Sequence, residues 1–179
     1  LKEPQLEVPV LETQRLRLRG YALEDFATYA AMWADPEVTR HIGDGTPKLE
    51  ADSWTSLLRM AGHWQMLGYG SWAVDEKASG RFLGGIGFNT SKRDRGDALK
   101  DLLELGWMFT PSASGQGYAT EALKVVLEWG RFHFGPIRVI AITAPENFAS
   151  MRVAQKCGFD EFLRGPSLGR PRVFFERTL

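Results

Sequence analysis

The stretch Gly115-Gln116-Gly117-Tyr118-Ala119-Thr120-Glu121-Ala122 has the residue types and spacing of an anion site. It follows the apolar run 102–109 and opens a helical pattern. Glycines let an anion approach the main chain. The first N–H groups of a helix have no intrahelical acceptor, and the helix dipole adds partial positive charge at the same point. A strand, a small-residue turn and a helix start in that order suit a pyrophosphate, with the amides of Gln116 to Thr120 as main donors. A second candidate is Glu104, the sole charged residue in the run 102–109. Burial of a lone carboxylate there would make it a better base; a structural carboxylate bonded to backbone or arginine is the competing reading. Asn147 is a natural helix N-cap, and Ser150 stands three residues on, where a hydroxyl also satisfies local backbone. His41, His63, His133 and Cys157 show no metal-ligand spacing, so no metal site is expected. His41 falls in a polar loop; Cys157, before Gly158, reads as a buried inert thiol.

The elements that must hold these groups are legible from periodicity. Leu16 and Leu18 alternate with Arg15, Arg17 and Arg19 as a half-buried strand whose arginines form its exposed face. Leu23, Phe26, Ala27, Ala30 and Trp33 share one helical face, and Asp35-Pro36 ends that helix. Trp54, Leu57, Leu58 and Ala61 mark a second helix ending before Gly68. Residues 71–75 and 81–88 read as a hairpin, with Gly84-Gly85-Ile86-Gly87 marking a bulge or close backbone approach. Residues 91–101 read as a charged loop, and 102–109 as a central strand. The helix over 117–133 has the inner stripe Ala119, Ala122, Leu123, Val126, Gly130 and the solvated stripe Glu121, Lys124, Glu128, Arg131. Residues 139–143 form a strand, a helix follows Asn147 and ends at a left-handed Gly158, and Val173-Phe174-Phe175 lies in the final strand. Trp33, Trp54, Trp64, Trp72, Met60 and Met66 are read as core or pocket wall.

The chain has 179 residues, 44% of them apolar and 25% charged, with zero net charge and one cysteine. One domain over 1–179 is expected. Charge balance argues against nucleic acid or an anionic membrane as main partner, and no apolar run reaches the ~18 residues of a membrane span. Leu1-Lys2-Glu3-Pro4 begins no secretory pattern, and a single thiol fits a cytoplasmic setting.

Two motifs together, Gly115 to Leu123 and Glu146-Asn147-Phe148-Ala149-Ser150-Met151-Arg152-Val153-Ala154-Gln155-Lys156-Cys157-Gly158-Phe159, resemble the GCN5-related N-acetyltransferases, and the RimJ/RimL-like branch most. Leu11 to Arg19 is similar to that branch's opening strand. The resemblance implies an α+β fold (an α/β/α sandwich). Its central sheet is mixed and mostly antiparallel, flanked by helices, and the parallel strands four and five splay apart. It also implies acetyl-CoA as cosubstrate. The pyrophosphate would lie on the loop Ser114, Gly115, Gln116, Gly117, Tyr118, Ala119 and Thr120, and the pantetheine arm beside Trp107, Met108 and Phe109. The family's loop usually begins with Arg or Gln where this chain has Ser114, which costs a longer hydrogen-bonding side chain. Tyr118 is read as packing or as facing the cofactor, and Glu121 as structural, because a carboxylate repels pyrophosphate.

Acetyl transfer to an amine needs a neutral amine, an oxyanion donor and a proton for the departing thiolate. The resemblance implies the Met108 N–H as oxyanion donor, Glu104 as base through water, Ser150 near the sulfur and Asn147 on the pantetheine. The acceptor would be a primary amine, of a protein N-terminus or a small molecule, in a pocket built by the two early helices, the 43–48 region and the last strands; a homodimer is compatible. Two other classes stay open: a coenzyme A-binding module without turnover, and a dinucleotide oxidoreductase. The latter is disfavoured because Thr120 stands where the third fingerprint glycine belongs.

Overall fold

The alternation of Leu16 and Leu18 with arginine folds into β2 (Leu16–Arg19), with both leucines fully buried, beside a two-residue β1 (Leu11–Glu12). The structure, a computed structural model, describes residues 7–90, 99, 102–167 and 169–179. The expected loop at 91–101, apart from Leu99, and the reading of residues 1–4 lie outside the described residues. Six further strands follow: β3 (Ser71–Glu76), β4 (Phe82–Asn89), β5 (Leu103–Phe109), β6 (Arg138–Thr143), β7 (Asp160–Ser167) and β8 (Arg170–Thr178). They join in one sheet of order β1-β2-β3-β4-β5-β6-β8-β7. All neighbours are antiparallel except β5 and β6, which run parallel. The run 160–167, now β7, carried no strand signal, because most of its residues are exposed on an edge strand.

Helices cover both faces. α4 (Tyr118–Phe134) and α5 (Phe148–Lys156) pack through Ala122, Leu123, Val126, Leu127 and Ala154 against Leu16, Leu18, Val74, Ile86, Phe88, Leu105 and Val139. Trp129 of α4 lies edge-on to Trp72 and Trp64, at 5.0 and 5.7 Å. A separate cluster of Tyr29, Met32 and Leu57, backed by Phe82 and Met108, joins α1 (Phe26–Ala34) and α3 (Glu50–Leu67). The inner face of α1 thus differs from the expected one: Tyr29 and Met32 are buried, whereas Leu23 is 66% exposed and Ala27 lies outside. Aromatic and methionine side chains fill more of the space above a sheet than alanine, so burial followed size. Likewise Trp54 and Met66 are exposed, while Trp64 and Trp72 are core. Asp35 ends α1 as expected, and at the same time its carboxylate caps α2 (Pro36–Thr39) by accepting the Glu37 N–H at 2.8 Å.

The glycines of β4 allow the close approach that their spacing predicted. A Cβ on Gly87 would stand 2.2 Å from the Gly70 carbonyl oxygen, and the β3–β4 register shifts between Val74, the partner of Gly84, and Asp75. Near this bulge Arg19 holds two carboxylates. Its Nε donates to Asp75 Oδ2 (2.6 Å), and Nη1 and Nη2 donate to Asp25 (2.7 and 2.8 Å), tying β2, β3 and the entry to α1 together. Arg19 and Arg15 are therefore not the plain solvated face the alternation suggested. Burial pushes the Asp25 carboxyl up, but hydrogen bonds from Arg19 and the Ala22 N–H, with the Arg19 charge, outweigh it and hold Asp25 below the usual range. A carboxyl lowered by folding contributes stability that is full above its unfolded value of about 3.9 and is lost as pH falls through the lower folded value. Asp25→Asn is expected to cost about 2 kcal/mol in urea unfolding at pH 7, and the difference from the parent should shrink below about pH 4.

Candidate active site

Strands β5 and β6 pair at only two positions, Leu103 with Val139 and Glu104 with Ile140. Beyond them β5 continues to Phe109 and β6 to Thr143 with no pairing between the two. A cavity of ≈ 270 Å³ occupies this parting. Its wall takes Glu104, Trp107 and Met108 from β5, Ala141 to Thr143 from β6, and Asn147 and Ser150 from the α5 start. From the other layer come Tyr29, Trp33, Met60 and His63, with His41 to Gly43 and Arg172 closing the end. The cavity therefore joins the two faces of the sheet through the gap. Met60 and Trp33 are pocket wall, as their types suggested, and His41 is too.

The parting leaves donors on β5, and register decides which ones. Thr110 N–H donates to the Leu83 carbonyl at 2.8 Å, toward β4, while Phe88 N–H donates away from β5, to Gly70 at 3.1 Å. The β4–β5 register is continuous from Gly84/Phe109 to Asn89/Glu104. Main-chain groups alternate in direction along a strand, so Glu104, Gly106 and Met108 share the direction of Thr110, toward β4. The N–H groups of Trp107 and Phe109 face the gap. The expected oxyanion donor, Met108 N–H, is thus turned to β4 opposite Gly85; its neighbours hold the free direction. Apolar composition carries no signal for this parity, which only a pairing partner reveals.

At the far end of β5, Gly115 and Gly117 adopt φ of 74° and 80°, conformations that favour glycine. The first helical bond of α4 runs from Glu121 N–H to the Gly117 carbonyl at 3.0 Å. Among the described residues the amides of Gln116, Gly117, Tyr118, Ala119 and Thr120 donate to no backbone carbonyl. Ser114, by contrast, spends its N–H on Pro111 at 3.0 Å. The loop's side chains are engaged in holding the loop: Gln116 Nε2 donates to the Ser112 carbonyl (2.7 Å). Arg15 Nη1 donates to the Gln116 carbonyl (3.0 Å) while its Nε meets Glu121 at 2.7 Å. Glu121 also accepts from Thr13 Oγ1 and the Arg15 N–H, at 2.5 and 3.0 Å, so it is structural as expected. Tyr118 is 5% exposed, lies under the Arg15 guanidinium at 4.4 Å and donates to Glu76 Oε1 at 2.5 Å. Its side chain packs inward, and only its amide remains for a ligand.

Asn147 caps α5 by accepting the Ser150 N–H at 3.1 Å, which leaves its amide NH₂ for the cavity. Glu104 is half-buried on the cavity wall. Burial pushes the Cys157 thiol up, and its Sγ contacts the Thr120 carbonyl at 3.8 Å, in keeping with an inert core thiol. His133 stacks on Trp129 at 4.3 Å. No three His, Cys, Asp or Glu side chains converge to hold a metal among the described residues. The sequence missed His63, whose Nδ1 is buried without a hydrogen-bond partner, and Arg172, which is 6% exposed; segments far apart in the chain supply both.

The orphan amides, the glycine-lined approach and the through-sheet gap fit a pyrophosphate with a long thin arm, as in coenzyme A. Comparison with known proteins agrees. Residues 15–160 match the family described as Acetyltransferase (GNAT) domain. The chain is 30% identical over 172 residues to the uncharacterized protein YkkB of Bacillus subtilis, covering 93% of this chain and 94% of that one. It is 27% identical over 152 residues to the uncharacterized N-acetyltransferase p20 of Bacillus licheniformis, covering 84% and 82%. A GnaT-family acetyltransferase structure from Bordetella pertussis, titled as putative, superposes with a TM-score of 0.83 at 26% identity, covering 95% of this chain and 99% of that one. The eight-stranded sheet with its parallel parting pair is the GNAT fold, and this chain belongs to the GNAT acetyltransferase family, whose members use acetyl-CoA.

Proposed function

We propose that the chain, as one domain over 1–179, transfers an acetyl group from acetyl-CoA directly to a primary amine in the cytoplasm, in the manner of the RimJ/RimL-like branch. The observation that carries this is the cavity joining both faces of the sheet through the β5–β6 gap, with unpaired helix-start amides beyond one side and an aromatic, His- and Arg-bearing chamber on the other. The branch is supported by the 11–19 and 146–159 motifs. A single, buried cysteine suits the compartment.

Acetyl-CoA supplies the activated thioester; the chain's residues do the rest. The amides of Gln116 to Thr120 bind its diphosphate, helped by the α4 dipole. The gap-facing N–H groups of Trp107 and Phe109 hold the arm beside β5, and one of them stabilises the oxyanion. The Asn147 NH₂ supports the same arm from the other side. Glu104 takes the proton of the acceptor amine through a water. The Ser150 hydroxyl returns a proton to the departing thiolate. Met108 contributes its side chain to the chamber wall. Ser114 offers only its hydroxyl, so affinity rests on the main-chain donors.

Two outcomes test the assignment. Gly117→Trp is expected to abolish acetyl-CoA binding in calorimetry, because its side chain fills the anion site and a positive φ resists it; retained affinity would remove the loop from the site. Glu104→Gln is expected to lower kcat by about 10²-fold or more while acetyl-CoA affinity changes little. A pH–rate profile matching the parent's would strip Glu104 of its role as base.

A further inference from the structure

β8 directs two guanidinium groups at the Ile42–Gly45 turn. Arg172 is buried, and its Nη2 donates to the Gly43 carbonyl. Arg170 Nη1 is buried with no hydrogen-bond partner and lies against Gly45. Neither arginine forms an ion pair among the described residues, whereas Arg15, Arg19, Arg81, Arg138 and Arg164 each hold a carboxylate. Arginine cannot shed its proton, and a buried cation without a counter-charge is costly. Burial and the neighbouring Arg170 push Arg172 down, and only the exposed Glu146 pulls the other way.

The place of this charge matters. Directly paired strand residues project to one face. Glu104 pairs with Ile140, and Ile140 with Glu176. Counting back by twos from Glu176 through Phe174 reaches Arg172, which therefore projects from the Glu104 face of the sheet. Both line the same cavity. Its other titratable wall groups are Arg59, His41, His63 and two tyrosines, leaving Glu104 as the sole carboxylate on that wall among the described residues. His41 is pushed down by burial and by Arg40, Arg170 and Arg172, against an opposing pull from Glu146.

We infer that Arg172, backed by Arg170, binds an acid group of the acceptor, so that the substrates are amines carrying a carboxylate or phosphate. This rests on the transferase reading above. A planar guanidinium matches either anion by paired hydrogen bonds. Its charge also disfavours the ammonium form of a nearby amine, which helps the nucleophile to be neutral.

The test uses the full chain with saturating acetyl-CoA and reads thiol release for matched acceptors. Amino acids of increasing amine-to-carboxylate spacing are compared with their primary amides, and aminoalkyl phosphates with the corresponding amino alcohols. The acid member is expected to exceed its neutral partner by about tenfold or more in kcat/KM, and the better series identifies the anion. Arg172→Gln should collapse that ratio toward one, and Arg172→Lys should keep part of it, with acetyl-CoA affinity within about twofold in both. The parent ratio needs no variant, so a misfolded substitution does not obscure the result. A parent ratio near one in both series, or an equal loss on both members in Arg172→Gln, overturns the inference. If the chain binds acetyl-CoA yet acetylates no amine, acid or neutral, the transferase reading fails instead. Equilibrium binding of the same pairs to the loaded chain then decides: tighter acids, lost in Arg172→Gln, support the anion subsite, and equal affinities refute it.

Discussion

Two parallel strands that bond over Leu103–Glu104 and Val139–Ile140 and then separate set the terms for the rest of the molecule. A buried strand normally spends its N–H and C=O groups on both neighbours. Here β5 is paired with β4 from Glu104 to Phe109 and with β6 only at its start, so every second amide from Trp107 onward faces open space. The same separation opens a passage through the sheet. Without it, helices α4 and α5 would be sealed from the chamber under α1 and α3, and a ligand held on one face could not reach a group held on the other.

The passage is useful only if its far end is fixed, and the sequence fixes it indirectly. The loop from Ser114 to Gly117 is exposed, and an exposed glycine loop is entropically loose. Arg15 counters this from another element: one nitrogen binds the Gln116 carbonyl, others pair with Glu121, and the plane covers Tyr118. Glu121 in turn takes the Thr13 hydroxyl, so the turn between β1 and β2 and the first turn of α4 lock together. Side chains secure the loop while its amides stay uncommitted. Donors that are already oriented need no reorganisation when an anion arrives.

What could be read from the sequence follows the range of the interactions. The loop, the α4 stripe, the Asn147 cap and the strand β5 are local patterns, and each appears where the residues placed it, although only Leu103 and Leu105 of β5 are buried. The glycines of β4 were legible as a close approach, though not which backbone they approach. Non-local features were not legible. The inner face of α1 is set by what lies across from Tyr29 and Met32, so Leu23 and Ala27, equally good by periodicity, turn outward. β7 is mostly exposed and exists because β8 pairs with it. The direction of the Met108 amide depends on the β4 register, which no single strand encodes. His63 and Arg172 come from an early helix and the last strand, and only the folded sheet brings them to the cavity that Glu104 also lines.

Zero net charge conceals a sorting of charges that the fold makes visible. Carboxylates that stabilise the frame are matched to arginines: Glu121 to Arg15, Asp25 and Asp75 to Arg19, Glu176 to Arg138, Glu161 to Arg164. With those pairs formed, the cations left on the chamber wall face a single carboxylate among the described residues. Charge held away from bulk water acts more strongly than at the surface, so on the proposed reading the chamber discriminates where the whole molecule does not. A free ammonium acceptor meets an unfavourable field, while the same amine, deprotonated and bearing an acid at its other end, meets a favourable one. Substrate choice and amine activation would then come from one arrangement of charges, which the neutral composition of the chain conceals.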